Sequence, residues 1–331
     1  MNDRCSVELL HQIKMHMAAG TDRFLALPFA PMLSWLYEDT QSVFFDEGGY
    51  SKDMVSFRDV CQTPEAQEYI QWRSDLFEGI ANQWSVIFIP AGVTITQPIV
   101  IKASSAQLCV LQKITVIVGA NASVTIVYDQ DFSHDKEIVT TIDLVVDQDA
   151  QINVFTVTTG SSWSKYSIDV HMRQAGGSAY VRSIVALDST QQCSIITQQH
   201  HYAAHTQSTI TVKSVLSDES KLLYKGMIVI DEKAEHSHAS QQNKNILWSA
   251  NARCWSIPGL EVKTNEVKCA HGSATGPLDA SQLWYLQSRG ISRDTALRLL
   301  LDGFIADQMQ EVPESYSDEI MIRIMNKIIG A

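Results

Sequence analysis

Asn121-Ala-Ser-Val-Thr-Ile-Val127 and Asp149-Ala-Gln-Ile-Asn-Val-Phe155 share one pattern: a polar turn residue, an alanine, then apolar side chains at every second position. Gly177-Ser-Ala-Tyr-Val-Arg-Ser-Ile184 repeats it at nearly the same offset. Recurrence at a period of roughly 20–50 residues marks an architecture built of stacked units. The surrounding chain keeps the same period-2 alternation. It runs from Val86-Ile-Phe-Ile-Pro90 and Thr94–Ile101, through Leu108–Val118, Ile138–Val146, Tyr180–Leu187 and Leu222–Ile230, to Asn245–Ser249 and Leu260–Val267. Val, Ile and Thr dominate these segments, as a pleated, half-buried surface favours. No helical pattern interrupts residues 86–270, which excludes an ordinary βαβ fold, because its parallel strands need crossover helices. A sandwich or a solenoid of strands remains, and the repeat selects the solenoid. The near absence of proline between Pro98 and Pro258 agrees, since buried ladder positions need their N–H donors.

Outside this region the period changes to that of helices. Residues 6–18 place Val7, Leu10, Ile13 and Met17 at helical spacing, and Gly20 marks a stop. Thr63-Pro64 opens a second segment with an apolar stripe at Tyr69, Trp72, Leu76 and Ile80. Beyond Gly272 and Gly276, which loosen the chain, Asp279 caps a helix over 280–289 that Gly290 ends. Ser292 caps the next, whose stripe of Leu297, Leu300, Leu301, Phe304, Ile305 and Met309 is wider than so short a module can bury alone. Pro313 ends it, and Ser317-Asp-Glu-Ile starts a last helix reaching Ile329. The stripe is core against the strands or a docking surface for a partner. Three regions result: a helical entrance at 1–85, a strand solenoid at 86–271 and a helical exit at 272–331.

Composition bounds the chemistry. The chain has 331 residues, 45% hydrophobic and 19% charged, with a formal net charge of −12. No Lys/Arg cluster exceeds a pair, so the basic footprint of a nucleic-acid binder is missing. No apolar run approaches a membrane span of about 20 residues. The polar start, Met-Asn-Asp-Arg-Cys-Ser-Val-Glu, has no signal-peptide core. Cysteines 5, 61, 109, 193, 254 and 269 are scattered with no CxxC, neither a disulfide framework nor a zinc finger. A reduced, cytoplasmic protein is expected.

The candidate site lies where the strands give way to helices, in Glu261-Val-Lys-Thr-Asn-Glu-Val-Lys-Cys-Ala-His-Gly-Ser-Ala-Thr-Gly276. If residues 266–271 form a strand, Cys269 and His271 project from one face. A thiol beside an imidazole can ligate a soft metal, pair as nucleophile and base, or simply pack. Histidines also gather at His200, His201, His205, His236 and His238, but adjacent His200 and His201 fall on opposite faces of a strand. Surface or turn positions suit this group. Asp143, Asp147 and Asp149 are too dispersed for a paired-carboxylate device.

Several segments in order carry a family likeness: Tyr224-Lys-Gly-Met-Ile-Val-Ile, Gln242-Asn-Lys-Asn-Ile-Leu-Trp, Pro258-Gly-Leu-Glu-Val, Val267-Lys-Cys-Ala-His-Gly, Gly276-Pro-Leu-Asp and Trp284-Tyr-Leu-Gln-Ser-Arg-Gly-Ile. Together they resemble the SufB/SufD family of iron–sulfur cluster assembly proteins, the KCAHG segment pointing to SufD. The resemblance implies a mostly β fold, a right-handed parallel β-helix flanked by N-terminal and C-terminal helical parts. It implies a non-catalytic scaffold that pairs with a SufB-like subunit and docks a SufC-like ABC ATPase, and a homodimer in isolation is compatible with it. Carried onto this chain, Cys269 and His271 become ligands of a transient iron–sulfur cluster or iron at the subunit interface. The partner-facing positions become Trp284, Tyr285, Arg289, Leu297, Leu300, Leu301 and Phe304. The resemblance leaves flavin binding open. Thiolate and imidazole are the donors such a cluster uses, and two cannot complete fourfold ligation, so a partner must supply the rest. No GxxxxGK[ST] motif is present, so ATP chemistry falls to the partner. A SufB-like subunit is the alternative that Cys254 keeps open. A β-helix carbohydrate-active enzyme is a weaker one, lacking clustered Asp, Lys or Arg on a ladder face and a secretion signal.

Overall fold

The computed structural model describes residues 83–103, 105, 108–310 and 312–330, strand backbones at 41–45 and 51–55, and the helical residues 68, 69 and 72. The helix expected over residues 6–18 lies outside the described residues. The repeating stretch is a parallel β-solenoid whose coils each contribute one strand to each of two sheets. One sheet stacks β3 (Gln83–Ile89), β5 (Cys109–Val118), β7 (Glu137–Val146), β9 (Trp163–Met172), β11 (Gln192–His201), β13 (Lys221–Ile230) and β15 (Arg253–Val262). The other stacks β4 (Ile99–Ala103), β6 (Ser123–Gln130), β8 (Gln151–Thr158), β10 (Ser178–Leu187), β12 (Gln207–Leu216), β14 (His238–Leu247) and β16 (Lys268–Pro277). At the low-numbered end, β1 (Gln41–Phe45) pairs parallel with β3 and antiparallel with β2 (Ser51–Val55).

The sequence repeat is the turn that joins the two sheets. Gly92, Asn121, Asp149, Gly176, His205 and His236 occupy equivalent corners and all have φ between 52° and 78°. That left-handed conformation suits Gly best and Asn, Asp and His next. Each corner N–H donates to a carbonyl of the following coil: Asn121 to Gln148 at 2.8 Å, His205 to Glu235 at 2.9 Å, His236 to Glu266 at 2.6 Å. The small residue that follows is enclosed, as at Ala122, Ala150 and Ser237. Alternate strand residues then fill the lumen, with Ile138, Ile142, Leu144, Ile152, Ile168 and Ile210 fully buried.

The lumen also holds polar side chains. In the coil of β11 and β12, His201 is buried and pairs through Nδ1 with Thr206 Oγ1 and through Nε2 with Ser208 Oγ, both at 2.7 Å. Ser208 in turn donates to Gln199 at 2.6 Å. This corrects the expectation that the whole histidine group sits on the surface or in turns. His205 and His236 do occupy turns, but His201 faces inward, where hydroxyls on the same coil satisfy both ring nitrogens.

The chain after Gly226 also departs from local expectation. Strand β14 begins at His238, ahead of the expected Asn245, and β15 spans Arg253–Val262 in place of Leu260–Val267. Residues 272–276, read as a loosened turn, are extended in β16. The ladder explains each difference: Gly272 to Gly276 pair in register with Gln242 to Ile246, and those backbone bonds override the weak strand preference of Gly, Ser and Ala.

Helices α1 (Ala280–Ser288), α2 (Arg293–Ile305) and α3 (Glu314–Ile329) follow. Asp279 accepts from Ser281 N–H and Ser292 from Thr295 N–H, the expected caps, while α3 starts at Glu314, earlier than expected. Leu301, Ile305, Met309, Ile320, Ile324 and Ile328 pack on the outer face of the β6–β12 sheet, against Val127, Phe155, Val157, Ile184 and Val215. Ion pairs fix the register of this layer. Arg323 grips buried Asp129 with two nitrogens, at 2.6 and 3.1 Å, and Lys327 meets Asp188 at 2.6 Å. On the other sheet, Tyr69 donates to Asp147 at 2.6 Å and Arg173 bridges Asp147 to Glu68.

Two outcomes follow from this packing. Arg323→Ala leaves Asp129 buried without its cation and costs about 3–5 kcal/mol in urea unfolding, whereas Arg323→Met combined with Asp129→Leu recovers most of the loss. Burial holds the His201 imidazole down to about 4 against 6.5 in the unfolded chain. Its contribution is therefore complete above pH 6.5 and is lost as pH falls toward 4, about 3 kcal/mol in all. His201→Gln flattens that part of the stability–pH curve, measured as the difference between variant and parent urea midpoints.

Candidate functional site

The ladder stops at β15 and β16, the last strands of their sheets, so no coil among the described residues covers the final one. Cys269 pairs in register with buried Ala239, and His271 with buried Gln241, which turns both side chains toward the lumen mouth. Cys269 packs partly against Ile228, Ile230, Ala234 and Ala239. His271 is exposed and, with Gln241, Asn243 and Ser273, borders a depression of about 320 Å³. The opposing β15 turns Cys254, Ser256, Pro258, Leu260 and Val262 inward by the same register with β13.

One contact fixes how the two strands face each other. Ser273 donates to Ser256 at 2.8 Å, and Thr275 hydrogen-bonds Cys254. Continuing that antiparallel facing places Pro258 opposite His271 and Leu260 opposite Cys269. Cys254 thus stands six strand residues from Cys269, about 20 Å at roughly 3.3 Å per residue. The two thiols cannot share one metal ion within this chain. Among the described residues no group of three or more His, Cys, Asp or Glu side chains is arranged to hold a metal. Cys269 and His271 stand as two potential donors with no third beside them among the described residues.

Burial acts on all three inward cysteines in the same direction. Burial pushes Cys193 up to about 12 and Cys254 up to about 11, despite the hydrogen bond from Thr275. Burial also raises the Cys269 thiol above its ordinary value. A nucleophilic cysteine needs the opposite shift, from a cation or helix N-terminus.

The solenoid matches a known family. The family description "SUF system FeS cluster assembly, SufBD core domain" matches residues 85–304, most of the chain and the whole solenoid from β4 to β16. The chain belongs to the SufBD family. It is 24% identical over 201 residues to an iron–sulfur cluster assembly SufBD family protein of Synechocystis, covering 60% of this chain and 44% of that protein. It is 28% identical over 204 residues to a SufBD family protein of Mycobacterium leprae, covering 59% and 52%. It is 23% identical over 189 residues to the iron–sulfur cluster assembly protein SufD of Escherichia coli, covering 57% and 45%. The chain spans about half the length of the curated relatives it matches. No helix among the described residues is long and apolar enough to cross a membrane.

Within that family frame, the helical exit divides into core and surface. Leu301 is fully buried in the layer on the β6–β12 sheet, Leu297 is buried, and Phe304 and Leu300 are half-buried. Trp284 is 71% and Tyr285 53% exposed, and the Arg289 guanidinium lies 5.2 Å from the Tyr285 ring centre. Helix α1 buries no residue at all. Leu299 is a further exposed apolar side chain on α2. Sequence reasoning missed Gln241, a buried carboxamide directly beneath His271. A polar residue repeating at the inward positions 241, 243 and 245 was the available signal.

The division has a measurable consequence. Leu301→Ala costs about 2–5 kcal/mol in denaturant unfolding, whereas Trp284→Ala changes stability by less than about 0.5 kcal/mol, because its side chain supports nothing inside the chain.

Proposed function

We propose that this chain is a SufD-like scaffold subunit of a cytoplasmic iron–sulfur cluster assembly complex, with no catalytic step of its own. The observation that carries this is the placement of Cys269 and His271 on one face of the terminal strand, at the open mouth of the lumen, as half of a ligand set. The free edges of β15 and β16 suit strand pairing with a SufB-like subunit, which brings the remaining donors to the nascent cluster, here the cargo. Helix α1, with Trp284, Tyr285 and Arg289 exposed, suits docking of a SufC-like ABC ATPase, with Leu300 at its margin. Leu301 and Phe304 act in that docking by holding α2 against the solenoid, with buried Leu297 on the same helix. The relative named SufD supports the reading, as does the absence of a nucleotide-binding loop from the sequence.

Affinity capture of the tagged full chain from its native host tests the assembly. Retention of both an ABC ATPase and a SufB-like chain is expected, with Trp284→Ala plus Arg289→Glu losing the ATPase alone. Capture of neither sinks the reading. In a complementation assay His271→Ala keeps the circular dichroism and melting temperature of the parent while cluster delivery falls, and undiminished delivery counts against the ligand role.

A further inference from the structure

Gln241 is 1% exposed, and neither Nε2 nor Oε1 of its carboxamide has a hydrogen-bond partner among the described residues. Its strand neighbours are satisfied. Asn243 and Asn245 bond each other at 2.7 and 3.1 Å, and Asn245 also reaches Ser214 at 2.6 Å and Thr275 at 2.9 Å. The unmet demand is therefore local to position 241. The solenoid also makes room for it: a Cβ at Gly226 would stand 2.0 Å from Nε2 and 2.5 Å from Oε1 of Gln241. A bare glycine across the lumen lets the carboxamide lie where it does. An apolar side chain of the same length would fill this space without the penalty of burying unpaired polar atoms.

His271 is the in-register partner of Gln241 on the terminal strand, one ladder spacing away in the same inward column. A carboxamide offers an acceptor and donors, and a neutral imidazole offers one N–H and one lone pair. We infer that Gln241 is a positioning residue for His271: its carboxamide, unpartnered where it lies against Gly226, turns toward the lumen mouth to receive one imidazole N–H and leaves the other ring nitrogen on the side of Cys269. This rests on the ligand reading of His271. A ligating histidine works in one tautomer and one ring orientation, and the group bonded to its second nitrogen sets both. His271 is itself exposed, so without such a hold its ring turns freely.

The test uses the full chain with Gln241→Met, Gln241→Glu and His271→Ala, and Co2+ as the metal probe. In the parent, the 15N shifts of the His271 side chain report one dominant tautomer, and in Gln241→Met they report a mixture. Co2+ affinity falls 10- to 100-fold in Gln241→Met while its melting temperature is unchanged or higher, and Gln241→Glu keeps both the tautomer and the affinity. An unchanged tautomer in Gln241→Met overturns the inference, as does an affinity loss that only tracks a lower melting temperature. If His271→Ala binds Co2+ as well as the parent, the ligand reading fails instead, and the tautomer measurement still decides the role of Gln241.

Discussion

The constraint that organises this molecule is the hydrogen-bond ladder between coils. The inner solenoid strands satisfy their backbones through the equivalent strands of the coils beside them, in unbroken register from Gln192 against Trp163 and Lys221 to His238 against Gln207 and Lys268. Such an arrangement is self-sufficient along its length and incomplete at its end, because the last coil always presents strands with one unpaired side. Closed barrels abolish that problem; a solenoid must cap the end or use it. Here the exposed final strands carry the two side chains with the most specific chemistry, so the unpaired edge and the candidate ligands coincide for a single structural reason.

The rest of the molecule protects the ladder's other surfaces. Helices α2 and α3 cover the outer face of one sheet with aliphatic side chains, and the Asp129–Arg323 and Asp188–Lys327 pairs settle where that layer sits. On the opposite sheet, Arg173, Asp147 and Tyr69 tie the helical residues near 69 to the third and fourth coils. Both attachments leave the terminal coil bare. Inside, polar groups interrupt the aliphatic filling at several levels: Tyr128 with Gln112, Thr140 and Gln130, then His201 with Gln199, then Gln241, Asn243 and Ser273.

How much of this could be read in advance depends on which force set each feature. The corners at Asn121 and Asp149 were legible because the left-handed conformation restricts residue type whatever surrounds it. The caps at Asp279 and Ser292 were legible for the same local reason. Strand β16 was obscured because its second half, Gly-Ser-Ala-Thr-Gly, has no strand preference, and only pairing with Gln242–Ile246 extends it. The buried place of His201 was equally hidden, since the hydroxyls that receive it come from Thr206 and Ser208 beyond the next turn. In the site, the pairing of Cys269 with His271 followed from simple alternation. The separation of Cys254 from them did not, because it depends on how β15 faces β16 across the lumen. Gln241 escaped notice because its meaning lies in the glycine opposite and the histidine above.

The stacked corners also give the surface a property of their own. The rings of His205 and His236 lie 5.1 Å apart on successive coils, placed by the left-handed corners, with Glu266 3.3 Å from His236 Nε2. At the exposed rungs of His205 and His236, asparagine, aspartate or glycine fits the same left-handed corner, while a β-branched residue strains it; at Gly176 a side chain would meet Asp149 instead. Surface chemistry along that edge is therefore free to diverge between relatives, or to be rewritten by design, at almost no expense to the fold beneath.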